Sequence, residues 1–88
     1  MNAIYFRTKP QKGKKRVTIA GIIENNNTIK IGVAICSLKD QFTKIKGREV
    51  SAGRALVNPE QVIEIPEGKT ATRAFVEFSK QYVADFNL

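Results

Sequence analysis

The sequence predicts a single α+β domain, an antiparallel sheet of three or four strands with two helices in the order βββαβα. The chain has 88 residues, of which 42% are hydrophobic, and this is enough for one packed core. Apolar and polar residues alternate in its first half with the period of two that strands require. Near its C-terminus, apolar residues instead recur at the helical spacing of three and four. We therefore expect one domain spanning residues 1–88.

Alternation predicts the first strand and its outer face. In residues 3–9, Ile4 and Phe6 fall on one face, and Tyr5 and Arg7 fall on the other. This pattern is typical of a half-buried strand with a basic outer face. The Pro and Gly residues that follow predict a turn before the chain becomes regular again.

Two further strands are expected over residues 16–24 and 28–36, which alternate in the same way. The three asparagines between them favour a tight turn, because Asn tolerates positive φ and bonds its own backbone. One face of the third strand carries small residues, including Gly32 and Ala34. We expect a helix, a second subunit or a ligand to pack closely on that face.

The first helix is harder to place. Residues 37–40 resemble a capping box, with Ser at the N-cap and an acid three residues later. Gly47 and Gly53 each lower helix stability by about 1 kcal/mol relative to Ala. The sequence therefore predicts a short turn near residues 38–42, then a loop, then a helix from about Arg48 to Val57.

The remaining elements are a short strand and an amphipathic helix. Asn58-Pro59 ends the first helix, and the branched residues of 61–65 predict a fourth strand. The last helix begins at Thr70. Its apolar stripe, expected to be core, is Ala71, Ala74, Phe75, Phe78, Tyr82 and Phe86.

Composition argues against an enzyme. The chain has no His and one Cys, so it lacks the commonest general base and cannot supply four zinc ligands or an internal disulfide. We expect no catalytic residues, no metal and no cofactor. The N-terminus has no signal-peptide pattern and no apolar run approaches bilayer length. The expected location is therefore the cytoplasm, with no membrane partner.

The net charge of +7 is unevenly distributed. Residues 1–16 hold six basic and no acidic residues, whereas residues 39–54 hold five basic and two acidic residues. Such asymmetry is typical of a protein with a polyanionic partner.

The central segment is the favoured ligand-binding site. It follows a strand, includes the expected helix start, and combines basic side chains with two glycines, as a phosphate site requires. Phe42 is the aromatic residue placed to stack on a ligand base. The predicted ligand-binding residues are Lys39, Phe42, Lys44, Lys46, Arg48 and Arg54. The alternative for each is a solvated loop or helix residue.

The N-terminal hairpin is the alternative site. Its basic residues would contact a nucleic-acid backbone, with Tyr5 available to stack on a base, or they would only keep a sheet edge soluble. The residues of this alternative are Arg7, Lys9, Lys12, Lys14, Lys15 and Arg16.

Three short patterns resemble one family of small phage-encoded proteins. These patterns are residues 32–42, Gly47-Arg48 and Gly53-Arg54-Ala55, which lie within a span of about 25 of the 88 residues. They are similar to the first Thoeris anti-defence family, oligomeric proteins that sequester cyclic ADP-ribose-type immune signals. The resemblance implies a non-enzymatic α/β subunit that oligomerises and buries a nucleotide between subunits. It favours Lys39, Phe42, Arg48 and Arg54 as ligand-binding residues.

Three functions remain open from the sequence. The first is a phage protein that binds a phosphate-bearing nucleotide and so sequesters a host immune signal, as a homo-oligomer. The second is a small basic module that binds DNA or RNA. The third is an inhibitor whose basic face docks on an acidic host protein.

Overall fold

The computed structural model describes residues 2–25, 27–37 and 43–86 and confirms the predicted class and order. The described residues form one four-stranded antiparallel sheet, in the order β1-β2-β3-β4, and two helices. The elements are β1 (Asn2–Arg7), β2 (Arg16–Glu24), β3 (Thr28–Cys36), α1 (Lys44–Val57), β4 (Gln61–Glu64) and α2 (Ala71–Asp85).

The alternating pattern predicted the strand boundaries closely. The bounds of β2 and β3 are those predicted, and the two strands pair from Arg16 opposite Cys36 to Glu24 opposite Thr28. β1 ends at Arg7, two residues earlier than predicted, and β4 ends at Glu64.

One face of the sheet, here called the α2 face, packs against α2 and forms the main core. Ile19, Ile29 and Ile31 are fully buried there, together with Phe75 of α2. Gly21 leaves room for the Phe75 ring, because a Cβ on Gly21 would lie 2.6 Å from a carbon of that ring.

The opposite face, here called the α1 face, carries the small residues and packs against α1. A Cβ on Gly32 would lie 2.5 Å from the backbone nitrogen of Ala55 and would also meet the carbonyl oxygen of Ser51. Thr18 and Ala20 of β2 are buried on this face. Of the three possible occupants predicted for the small-residue face, the structure shows a helix.

The start of α1 differs from the prediction. The helix begins at Lys44 with Thr43 as N-cap, four residues before the predicted start at Arg48. It continues through Gly47, whose backbone N–H donates to Thr43. Packing against Gly32 outweighs the low helix propensity of glycine. Ser37 lies outside the helix, and the predicted turn at 38–42 falls outside the described residues.

The second helix begins as predicted, but its apolar stripe ends earlier. Thr70 is the N-cap, and its hydroxyl accepts a hydrogen bond from the backbone N–H of Arg73. Phe86, predicted to be core, is 61% exposed because it follows the last helical turn, although its ring contacts Tyr82. Neither α1 nor α2 is long and apolar enough to cross a membrane.

Candidate anion-binding site

The loop between β1 and β2 is held in place by Thr8. Its backbone N–H donates to the carbonyl of Val17 at 3.0 Å, and its hydroxyl accepts from the backbone N–H of Val17 at 3.0 Å. Arg16 donates from Nε to the carbonyl of Thr8 at 3.2 Å. Gly13 has a φ of 76°, which glycine adopts without strain. The basic loop therefore has a defined shape.

A cleft of about 450 Å³ lies between this loop and α2. Cations from two distant parts of the chain line it, four from the β1–β2 hairpin and one from α2. Phe6 and Val83 add apolar surface. The cations are Arg7, Lys9, Lys14, Lys15 and Lys80.

The charged residues that line the cleft are all basic. None of the described residues that line it is acidic. Lys9, Lys15 and Lys80 make no ion pair with the described part of the chain. Like charges that converge on one concavity raise its positive potential, and an anion entering the cleft relieves their repulsion. The arrangement is suited to binding phosphate groups.

Only part of the predicted hairpin set lines the cleft. Four of its six residues line the cleft, whereas Lys12 is exposed on the loop outside the lining and Arg16 has a structural hydrogen bond to Thr8. Lys80 was not predicted. It lies on α2 beside the apolar stripe, and nothing in the sequence indicates that this side of α2 meets the hairpin loop.

The predicted central set does not converge among the described residues. Arg48 places its guanidinium carbon 5.5 Å from the ring centre of Tyr5 on β1. Arg54 instead donates from Nη1 to the carbonyl of Val33 on β3, at 2.7 Å. The two arginines therefore contact different strands. Lys39 and Phe42 lie outside the described residues.

The start of α1 has its own positive field. Lys44 and Lys46 are exposed in the first turn, which holds no acidic residue, and Thr43 makes no side-chain cap. Cations at this end oppose the helix dipole and cost stability unless an anion is near. No other ligand-binding feature of the central set is visible in the described segments.

No group of His, Cys, Asp or Glu in the described ranges is arranged to hold a metal ion. No protein-family model, curated protein or solved structure matches this chain.

Proposed function

We propose that the protein is a non-enzymatic binding protein for a phosphate-bearing nucleotide, which occupies the cleft between the β1–β2 loop and α2. The convergence of four lysines on one concavity, with no acid among its described lining residues, carries this proposal. The sequence pattern favoured the central segment instead. The described part of that segment offers separate cations rather than a concave site.

The size and lining of the cleft suit a nucleotide. Its volume of about 450 Å³ lies within the roughly 300–1,000 Å³ range of small-ligand sites. The ammonium groups of the lining lysines bind phosphate oxygens as mobile point charges. The apolar surface of Phe6 and Val83 offers contact to a base or a ribose. Binding of this kind needs no proton transfer, in keeping with a cleft lined by cations.

The family resemblance extends the proposal to a biological role. It implies that the nucleotide is a cyclic ADP-ribose-type immune signal, which a phage-encoded homo-oligomer would sequester. The nucleotides to titrate are therefore cyclic ADP-ribose, ADP-ribose and ATP. Native mass spectrometry of the purified protein reports the subunit count and any retained nucleotide together.

Isothermal titration calorimetry on matched lysine variants tests the cleft. Lys15→Ala and Lys80→Ala each remove one lining charge, and each is expected to weaken nucleotide binding about tenfold. Lys46→Ala is the control, because it removes the same charge from α1. Loss of binding in Lys46→Ala with unchanged binding in the other two would assign the ligand to the central segment and refute the cleft.

Nucleic acid is a second candidate, favoured by Lys12, which is exposed on the loop beyond the cleft lining. A backbone running out of the cleft over the loop would meet this additional charge. Anisotropy titrations with a labelled single-stranded oligonucleotide would then show log affinity falling with log salt by about 0.7 per phosphate contacted. Lys12→Ala would weaken oligonucleotide binding and leave mononucleotide binding unchanged. Equal effects on both ligands would exclude this candidate.

A further inference from the structure

A second polar cluster lies on the α1 face, where β1 meets β2. Arg7 and Thr18 are register partners on these adjacent strands, so their side chains project side by side on this face. Thr18 is 1% exposed. The Oγ1 atom of Thr18 and the Nη1 atom of Arg7 are both buried, and neither has a hydrogen-bond partner within the described chain.

Two such atoms on register partners need a physical reason. A buried donor or acceptor left without a partner costs about 1–3 kcal/mol, and a charged group costs more. Native proteins keep few of them, and those that persist commonly bind water or an ion. Arg7 Nη1 is a charged donor, and a threonine hydroxyl can donate as well. Two donors on neighbouring side chains can share one acceptor, and the charge on one favours an anionic acceptor over water.

A second arginine reaches the same area. Tyr5 precedes Arg7 by two residues, so both project on the α1 face, about 7 Å apart along the strand. The Arg48 guanidinium lies over the Tyr5 ring. This contact places a charge of α1 over the side chain that neighbours Arg7 on this face. Glu24, on the same face, is paired with Lys30 at 2.7 Å and so is already neutralised.

We propose that Arg7 and Thr18 form an oxyanion site on the α1 face, with Arg48 at its rim, and that its ligand is a phosphate group. The site lies on the opposite face of the sheet from the proposed nucleotide cleft. Arg7 also lines that cleft, so variants of Arg7 cannot separate the two sites. Thr18 belongs to the oxyanion site alone.

Thermal denaturation in sodium phosphate and in sodium chloride of equal ionic strength tests the proposal. Phosphate is expected to raise the Tm of the native protein by about 5 °C at saturation. Thr18→Val keeps the shape of the side chain and removes the hydroxyl. This variant should have a higher Tm than the native protein in chloride, because a buried unpaired hydroxyl is gone. It should also bind phosphate about tenfold more weakly.

Ser79→Ala is the matched control. The Ser79 hydroxyl is also buried without a partner among the described residues, but it lies on α2. Its removal should likewise raise the Tm in chloride and should leave the response to phosphate unchanged. An undiminished phosphate response in Thr18→Val would overturn the proposal.

An NMR titration of the native protein removes any dependence on the folding of variants. Inorganic phosphate should shift the Thr18 amide and the Arg7 side-chain signals, and should still do so in Lys80→Ala. Shifts confined to the cleft lysines would show that the buried pair binds water only, and the proposal would fail. A parallel titration with AMP supports the proposal if the same signals move. The tighter of the two ligands then identifies the source of the phosphate group.

Discussion

Replacing Gly32 with alanine is expected to force α1 away from the sheet. The new Cβ would lie 2.5 Å from the backbone nitrogen of Ala55 and 2.9 Å from its Cβ, and it would also meet the Ser51 carbonyl oxygen. Two of these atoms are helix backbone, which cannot rotate aside as a side chain can. Restoring the 2.5 Å contact to 3.4 Å requires a displacement of about 0.9 Å, and the closer contact to the Ser51 carbonyl oxygen requires more.

The displacement determines the size of the effect. Overpacking typically costs about 1–3 kcal/mol, and movement of a whole helix places this case at the upper end. Domains have about 0.05–0.15 kcal/mol of stability per residue, so a chain of 88 residues has roughly 4–13 kcal/mol in all. At about 4–8 °C per kcal/mol, a loss of about 3 kcal/mol lowers the Tm by roughly 12–24 °C.

Thermal denaturation followed by circular dichroism measures this loss. Gly53→Ala is the control, because a Cβ on Gly53, within α1, meets no atom within 4 Å. It should raise the Tm by about 4 °C, since alanine is favoured over glycine in a helix by about 0.5–1 kcal/mol. A Gly32→Ala variant within 2 °C of the native Tm would refute the reasoning from the close approach of α1 to β3.

Two further predictions concern individual charged side chains. Arg54→Met removes the hydrogen bond to the Val33 carbonyl, so urea unfolding should show a loss of about 1–2 kcal/mol in stability. A nucleotide titration of this variant should show unchanged binding. Loss of binding without loss of stability would instead make Arg54 a ligand residue. The hydrogen bond from Lys69 lowers the pKa of Glu77 below 4.5, so the pair stabilises the fold above that pH and stops doing so as the pH falls through the lowered pKa. In Lys69→Met, NMR titration should show the Glu77 pKa returning towards 4.5, and an unchanged titration would contradict this cause.

Periodicity predicted the sheet because successive side chains of a strand point to opposite faces, and here one face carries large apolar residues while the other carries small ones. The register of β2 against β3 follows directly from their patterns and the short asparagine turn. The predicted start of α1, Arg48, lies four residues after the observed start at Lys44, because helix propensity alone disfavours a helix that includes Gly47. The contact that stabilises α1 is with Gly32, on another element, and local sequence does not contain it.

The candidate sites depend even more on long-range contacts. Clustering of charge in the sequence identified the hairpin cations of the cleft, but Lys80 joins them only through the packing of α2. Arg54, predicted to bind a ligand, reaches the backbone of β3 instead. The buried pair of Arg7 and Thr18 could not be predicted, because each residue is ordinary for a strand, and their significance depends on the register and on the absence of partners in the described fold.

The register also explains why both proposed sites lie at the same end of the sheet. Six cations occur within residues 7–16, around the β1–β2 turn, whereas Glu24 and Glu64 lie at the other end, each opposite Thr28. Nine residues of strand separate these ends by about 30 Å, several times the Debye length of about 8 Å at physiological salt. The distant carboxylates therefore do little to screen the basic end. An approaching anion experiences the local charge of the hairpin rather than the net charge of +7, and it is attracted to the end where the two sites lie on opposite faces.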